Sequence, residues 1–290
     1  MLAALTTPLD WTGGPALLWV LTAGILYWRG GRESRRTRRA ADRWRTAAFL
    51  GGLAAIMLAL DSPIDTLADE LFWVHMIQHI LLISVSAPLL VLARPWNRMW
   101  RGVPLEYRRA ATREFVRNPR LAPLRRALAL CGTALLSWLI FNLNFVAWHL
   151  PALYDLALRS PPIHAFEHLT FFATALLLWT RVIYSPPWRS PLSELGKLAY
   201  LGSTLVVGWI LAIVLALATS PVYSAYADMA SRPGHISAFT DQQLAAGVMW
   251  VPGSISYTIA ILLIAYHWLQ STEGRERTAV NRGAPPARQA

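Results

Sequence analysis

The sequence predicts an all-α fold, a polytopic bundle of about seven transmembrane helices, and three observations carry that prediction. Hydrophobic residues make up 55% of the chain and charged residues only 15%, where a water-soluble domain carries roughly 25% charged residues. Several apolar runs reach the roughly 20 residues that a helix needs to cross a bilayer. The Lys and Arg residues collect in alternate gaps between those runs, as orientation signals do. A net charge of +11 would otherwise suggest nucleic acid, but its confinement to short inter-span segments points to the membrane surface.

The elements follow in order. Span 1 covers about 15–29, and no basic segment precedes it, so it is read as a retained helix rather than a cleaved signal. Span 2 (46–61) stops before Pro63, and span 3 (71–93) before Pro95. Span 4 (127–149) ends at Pro151, and span 5 (163–183) lies between Pro161-Pro162 and Pro186-Pro187. Span 6 (198–219) stops before Pro221, and span 7 (240–269) contains Pro252-Gly253, which is expected to bend it.

Orientation comes from the basic residues. Of the 27 Lys and Arg residues, all but Arg159 and Arg232 fall after spans 1, 3 and 5 or in the tail. The positive-inside rule then puts the N-terminus outside and the C-terminus in the cytoplasm, which requires an odd number of spans. The longest gap, 94–126, reads as a basic segment with an amphipathic helix around Pro104–Val116 lying on anionic lipid. Residues 1–270 form one transmembrane domain, and 271–290, with Ala284-Pro285-Pro286, read as a disordered cytoplasmic tail. Cys131 is the sole cysteine, so a disulfide framework, a CxxC pair and a thiolate cluster are excluded.

Depth sorts the seven histidines. His75 and His79 open span 3, His149 closes span 4, and His164 and His168 open span 5, all on the outer side. His75/His79 and His164/His168 are each spaced i,i+4, which puts both rings on one helix face. Polar and ionisable groups inside spans are costly and mark function, so these five are candidate metal ligands; imidazole suits copper, zinc, iron and nickel alike. Met76 is a possible soft extra ligand with packing as the stronger reading. Glu167 and Asp241 can ligate, orient a ligating histidine or cap a helix. His235 and His267 are read as ordinary interfacial histidines, and Asp61, Asp65, Asp69 and Glu70 make the loop before span 3 acidic.

At these residues the chain resembles a known family. His75-Met76-Ile77-Gln78-His79 continuing to Ala87-Pro88-Leu89-Leu90, then Trp148-His149, the His164/His168 pair, and Asp241-Gln242 with Gly247, Met249-Trp250 and Pro252-Gly253 are similar to the multi-span CtaG-type cytochrome c oxidase assembly factors. These are distinct from the single-span copper chaperones that share the name. The likeness covers roughly 45–270. It implies a non-enzymatic, multi-pass protein of the bacterial plasma membrane that assists assembly of a haem–copper oxidase, with oxidase subunits as partners and copper as the ion handled. Spacing alone reaches the histidines but not copper. Two other functions stay open: a haem-binding membrane electron carrier, and an intramembrane zinc metalloprotease using the His164-x-x-Glu167-His168 pattern. A path for a cation across the whole membrane is poorly supported, because the inner half offers only His267.

Overall fold

A backbone that leaves water must satisfy its own N–H and C=O groups, and among the described residues this chain does so with helices and no strands. A computed structural model describes residues 14–35, 43–187, 190–229 and 231–281. Arg36, Arg38, Arg39, Arg189 and the end of the tail, all used in the sequence reading, lie outside them. In chain order the helices are α1 (Pro15–Arg35), α2 (Arg43–Leu60), α3 (Pro63–Ala68), α4 (Phe72–Ala93), α5 (Trp96–Gly102), α6 (Leu105–Arg117), α7 (Ala122–Cys131), α8 (Ala134–Trp148), α9 (Pro151–Arg159), α10 (Pro161–Val182), α11 (Glu194–Leu217), α12 (Ser224–Ala227) and α13 (Ala238–Asn281).

Among the described residues four helices are long and apolar enough to cross a membrane: α2, α4, α11, and α13 over Ala238–Thr272. A fifth span results if the segment Pro119–Cys131 and α8 count as one broken helix. The 24 residues of α11 reach about 36 Å at 1.5 Å per residue, enough for a hydrocarbon core of about 30 Å. Large apolar side chains stand outward along α11 (Val206, Ile210, Val214) and α13 (Val251, Ile255, Leu262). Those faces suit lipid, not water.

The run read as one span over 127–149 is two helices meeting at 84°. The chain turns at Gly132-Thr133, and side chains take up the carbonyls that the turn releases. Thr133 Oγ1 donates to Leu130 O (2.8 Å), Ser137 Oγ to Cys131 O (2.7 Å), and the buried Arg181 guanidinium to Gly132 O. The amphipathic segment expected around 104–116 is α6. α13 runs through Pro252 without a break and continues to Asn281, into the segment read as a disordered tail.

Close approach needs small residues where α1 meets α5. A Cβ on Gly30 would sit 1.7 Å from Arg98 O, and one on Gly102 2.2 Å from Leu26 O. With both positions empty, Arg98 donates from Nε to Tyr27 O at 2.9 Å and stacks its guanidinium on the Tyr27 ring.

α4 is the central helix, packed against α2, α3, α10 and α13. Its middle, Leu81–Ser86, widens into a π turn, a feature often found at functional sites. Pro88 explains the widening. It has no N–H to donate, so the carbonyls of Ile83 and Ser84, one π and one α step earlier, need other donors. Trp179 Nε1 of α10 supplies one at 3.1 Å, and the Ser256 hydroxyl of α13 supplies the other. Ser86 Oγ donates across to Gly52 O of α2 at 2.9 Å.

Candidate metal centre

Two helix starts build the centre. α4 begins at Phe72 and carries His75 and His79 on one face; α10 begins at Pro161 and carries His164, Glu167 and His168. The α4 start has no capping side chain of its own. Asp241 of α13 supplies the cap instead: the Phe72 and Trp73 N–H groups donate to its two carboxylate oxygens at 2.9 and 3.0 Å. The Arg232 guanidinium stands 3.9 Å from the same carboxylate. Asp241 therefore fixes the turn that carries His75, and does not point its oxygens at the histidines. Its neighbour Gln242 accepts from Val222 N–H at 2.7 Å and donates to Leu215 O at 3.2 Å, tying the loop after α11 to α13.

The imidazoles converge. His75 and His79 bring their Nε2 atoms to 2.8 Å, and their ring centroids lie 4.4 Å apart. His164 and His168 rings are 4.3 Å apart, and each also packs on the His75 ring, at 5.0 and 6.0 Å. Glu167 is fully buried, with Oε1 3.8 Å from His79 Nε2. Among the described residues two groups of three have potential ligand atoms within 4.8 Å of one another: His75, His79 and His168; and His75, His164 and Glu167.

Hydrogen bonds decide which nitrogens face inward. Tyr226 of α12 donates to Ala68 O at 2.6 Å, so its oxygen accepts from His75 Nδ1, 3.0 Å away. That leaves His75 Nε2 as an acceptor, and it takes its hydrogen bond from His79 Nε2, 2.8 Å away. His149 donates from Nδ1 to Phe145 O at 2.7 Å, which leaves its Nε2 bare. Imidazoles that ligate metals are held this way, by a partner on the far nitrogen.

Buried polar atoms without hydrogen-bond partners cost about 1–3 kcal/mol each, and here they accumulate at one place. His149 Nε2, His164 Nε2, His168 Nε2, His79 Nδ1 and both Glu167 oxygens are buried without one. Buried nitrogens and oxygens left unpartnered in this way are what a cation would satisfy, and imidazole with one carboxylate fits a first-row transition ion. Two Nε2 atoms 2.8 Å apart are closer than the roughly 3.3 Å expected for two nitrogens bound tetrahedrally at about 2.0–2.1 Å. An ion between them needs only a small outward motion of either ring.

The structure thus gathers His75, His79, His164, Glu167 and His168. His149 stays at the margin, its ring on Phe145, Phe171 and Tyr154 and outside both three-ligand groups. It shares with His79 an apolar cavity between α4, α8, α11 and α13, into which Met76 and Met249 also face. Met76 is buried in the aromatic cluster of Phe72, Tyr154, Tyr223 and Tyr226. His235 and His267 are exposed and apart from the centre. In the acidic loop Asp65 accepts from Gln78 Nε2 at 2.6 Å. Burial pushes its carboxyl up to about 6, with Asp69 and Asp61 adding to the shift and the Gln78 bond opposing it.

Sequence reasoning missed the tyrosines that roof the centre. Tyr154 of α9 stacks on Tyr223 at 4.0 Å, Tyr223 donates to His149 O at 3.0 Å, and Asp155 fastens α12 through Ser224 and Ala225. Tyr223 and Tyr226 lie three residues apart in the segment between spans 6 and 7, the one signal that could have singled them out.

The comparisons with known proteins come to one family and to distant relatives. The family described as cytochrome c oxidase caa3 assembly factor matches residues 25–271. Curated relatives include uncharacterised proteins of Mycobacterium bovis and Mycobacterium tuberculosis, each 22% identical over 80% of this chain, and one of Mycobacterium leprae, 23% identical over 80%. The chain spans about a third of their length, 35% of the first two and 36% of the third. No solved structure matches the chain.

Proposed function

We propose that this chain, which belongs to the cytochrome c oxidase caa3 assembly factor family, binds copper at the histidine centre and passes it to subunits of the oxidase. One observation carries the reading: the imidazoles of His75, His79, His164 and His168 converge with the Glu167 carboxyl group, and His79 Nδ1, His164 Nε2, His168 Nε2 and both Glu167 oxygens are buried without a hydrogen-bond partner. His149 borders the same space and is proposed as a further ligand or a relay.

The protein is then a non-enzymatic, multi-pass component of the bacterial plasma membrane. Its seven spans are α1, α2, α4, the α7–α8 pair, α10, α11 and α13. The N-terminus lies outside and the C-terminus inside, because the basic residues follow alternate helices. That orientation puts the centre on the outer side. Residues 1–270 act as one domain.

Copper is favoured over haem by the packing of the rings. Centroids 4.3 to 6.0 Å apart leave no slab of space for a macrocycle between facing imidazoles. The zinc protease reading of His164, Glu167 and His168 is less well supported. A general base must be free to work on water, whereas Glu167 lies among the ligand atoms themselves.

The test is metal analysis of purified protein in detergent after loading with cuprous ion. Wild type is expected to retain copper near stoichiometrically, and the His75→Ala/His79→Ala double variant to retain almost none. Equal copper in both would overturn the assignment.

A further inference from the structure

The two three-residue groups overlap at one residue, and their burial differs. His75, His79 and His168 are all buried, with His79 and His168 one helical turn below His75 and His164 respectively. In the other group His164, in the first turn of α10, is only half-buried, the one exception among the five site histidines. Its residue neighbours toward the helix start, Pro161 and Pro162, are exposed. Yet its Nε2 is buried and has no partner. His164 thus has one edge at the outer surface and one nitrogen in the centre.

His75 has a single nitrogen to give, because Tyr226 holds the other. The two groups are therefore alternatives for one ion, not the halves of a two-metal site. They also differ in chemistry. The deep group offers three neutral imidazoles, and the shallow group two imidazoles and a carboxylate, a harder set that holds a soft cuprous ion less firmly.

Resting on the copper reading above, we propose that the centre holds one cuprous ion at two successive stations. The deep station is His75, His79 and His168; the shallow station is His75, His164 and Glu167, through which the ion enters and leaves. His75 stays bound throughout. His79 and His168 exchange against His164 and Glu167, one new bond to copper forming as one old bond breaks, with no change of oxidation state; the proton held by Glu167 leaves to water as its oxygen binds, and returns when that bond breaks. The ion never passes through a state without protein ligands. His164 is the residue that a recipient's ligand meets first.

The experiment separates how tightly copper is held from how fast it moves. Wild type, His164→Ala and His168→Asn are loaded with cuprous ion in detergent. Affinity is measured by competition with a soluble colorimetric chelator, and transfer to that chelator is followed by stopped flow. His164→Ala is expected to lose less affinity than His168→Asn while its transfer slows by roughly tenfold or more, since residence time and affinity are separable quantities. His168→Asn is expected to lose affinity. Transfer from His164→Ala at the wild-type rate, or a loss of affinity in it as large as in His168→Asn, would overturn the two-station scheme. His164 is half-buried at a helix start, so its variant carries the test even where the buried His168 substitution unfolds the protein. Failure of wild type to bind copper at all would instead defeat the copper reading beneath it.

Discussion

At the scale of single residues, the centre depends on which nitrogen of each imidazole is occupied. The i,i+4 spacing and the depth of His75, His79, His164 and His168 were legible in the sequence because a helix face is a local property. The groups that orient them were not. Tyr226 reaches His75 from a short helix 151 positions away, and Asp241 caps α4 rather than its own helix. No periodicity reports either contact. Tyr226→Phe removes the acceptor for His75 Nδ1 and leaves Ala68 O without its donor. The ring is then free to turn and to present either nitrogen. Loss of such a supporting contact lowers metal affinity by about 10–100-fold. A cuprous affinity about tenfold weaker is therefore expected by chelator competition, in protein that still melts cooperatively; unchanged affinity would show that Tyr226 does not set the tautomer.

At the scale of elements, composition foretold where helices run better than where they stop. Leu- and Ala-rich sequence continues across Gly132-Thr133, so 127–149 reads as one apolar stretch. The turn is recognisable only from the hydroxyls of Thr133 and Ser137 and from Arg181 of another helix, each satisfying a carbonyl that the break exposes. The π turn of α4 is similar. Pro88 was visible, but the donors that make its missing hydrogen bond tolerable come from α10 and α13. Trp179→Phe keeps most of the buried ring volume and deletes only the donor to Ile83 O. An unsatisfied buried carbonyl costs about 1–3 kcal/mol. The variant is expected to melt several degrees lower in detergent and to bind copper as wild type does. An unaltered melting temperature would mean that the Ile83 carbonyl finds another donor.

At the scale of the whole molecule, the charge pattern argues for more spans than hydropathy alone recognises. Length and apolarity single out α2, α4, α11 and α13, with α7–α8 as a bent fifth. α10 carries Glu167, Arg181 and two histidines within its 22 residues, and these polar and charged side chains lower its apolarity. Orientation is open to a direct check. Green fluorescent protein fused after Gln270 is expected to fluoresce, and alkaline phosphatase fused there to be inactive. Phosphatase inserted between Asp228 and Ser237 is expected to be active. The reverse pattern would put the histidine centre on the cytoplasmic side. The Asp241 cap also bears on biosynthesis. It lies 169 residues after Phe72, an interval of roughly 10–30 s at ribosomal rates of about 5–20 residues per second. His75 and His79 are thus made well before the residues that aim them, Tyr226 and Asp241. A nascent chain that has not reached Asp241 carries the imidazoles without their frame, so the His75–His79 face of α4 is fixed only once the start of α13 has been made.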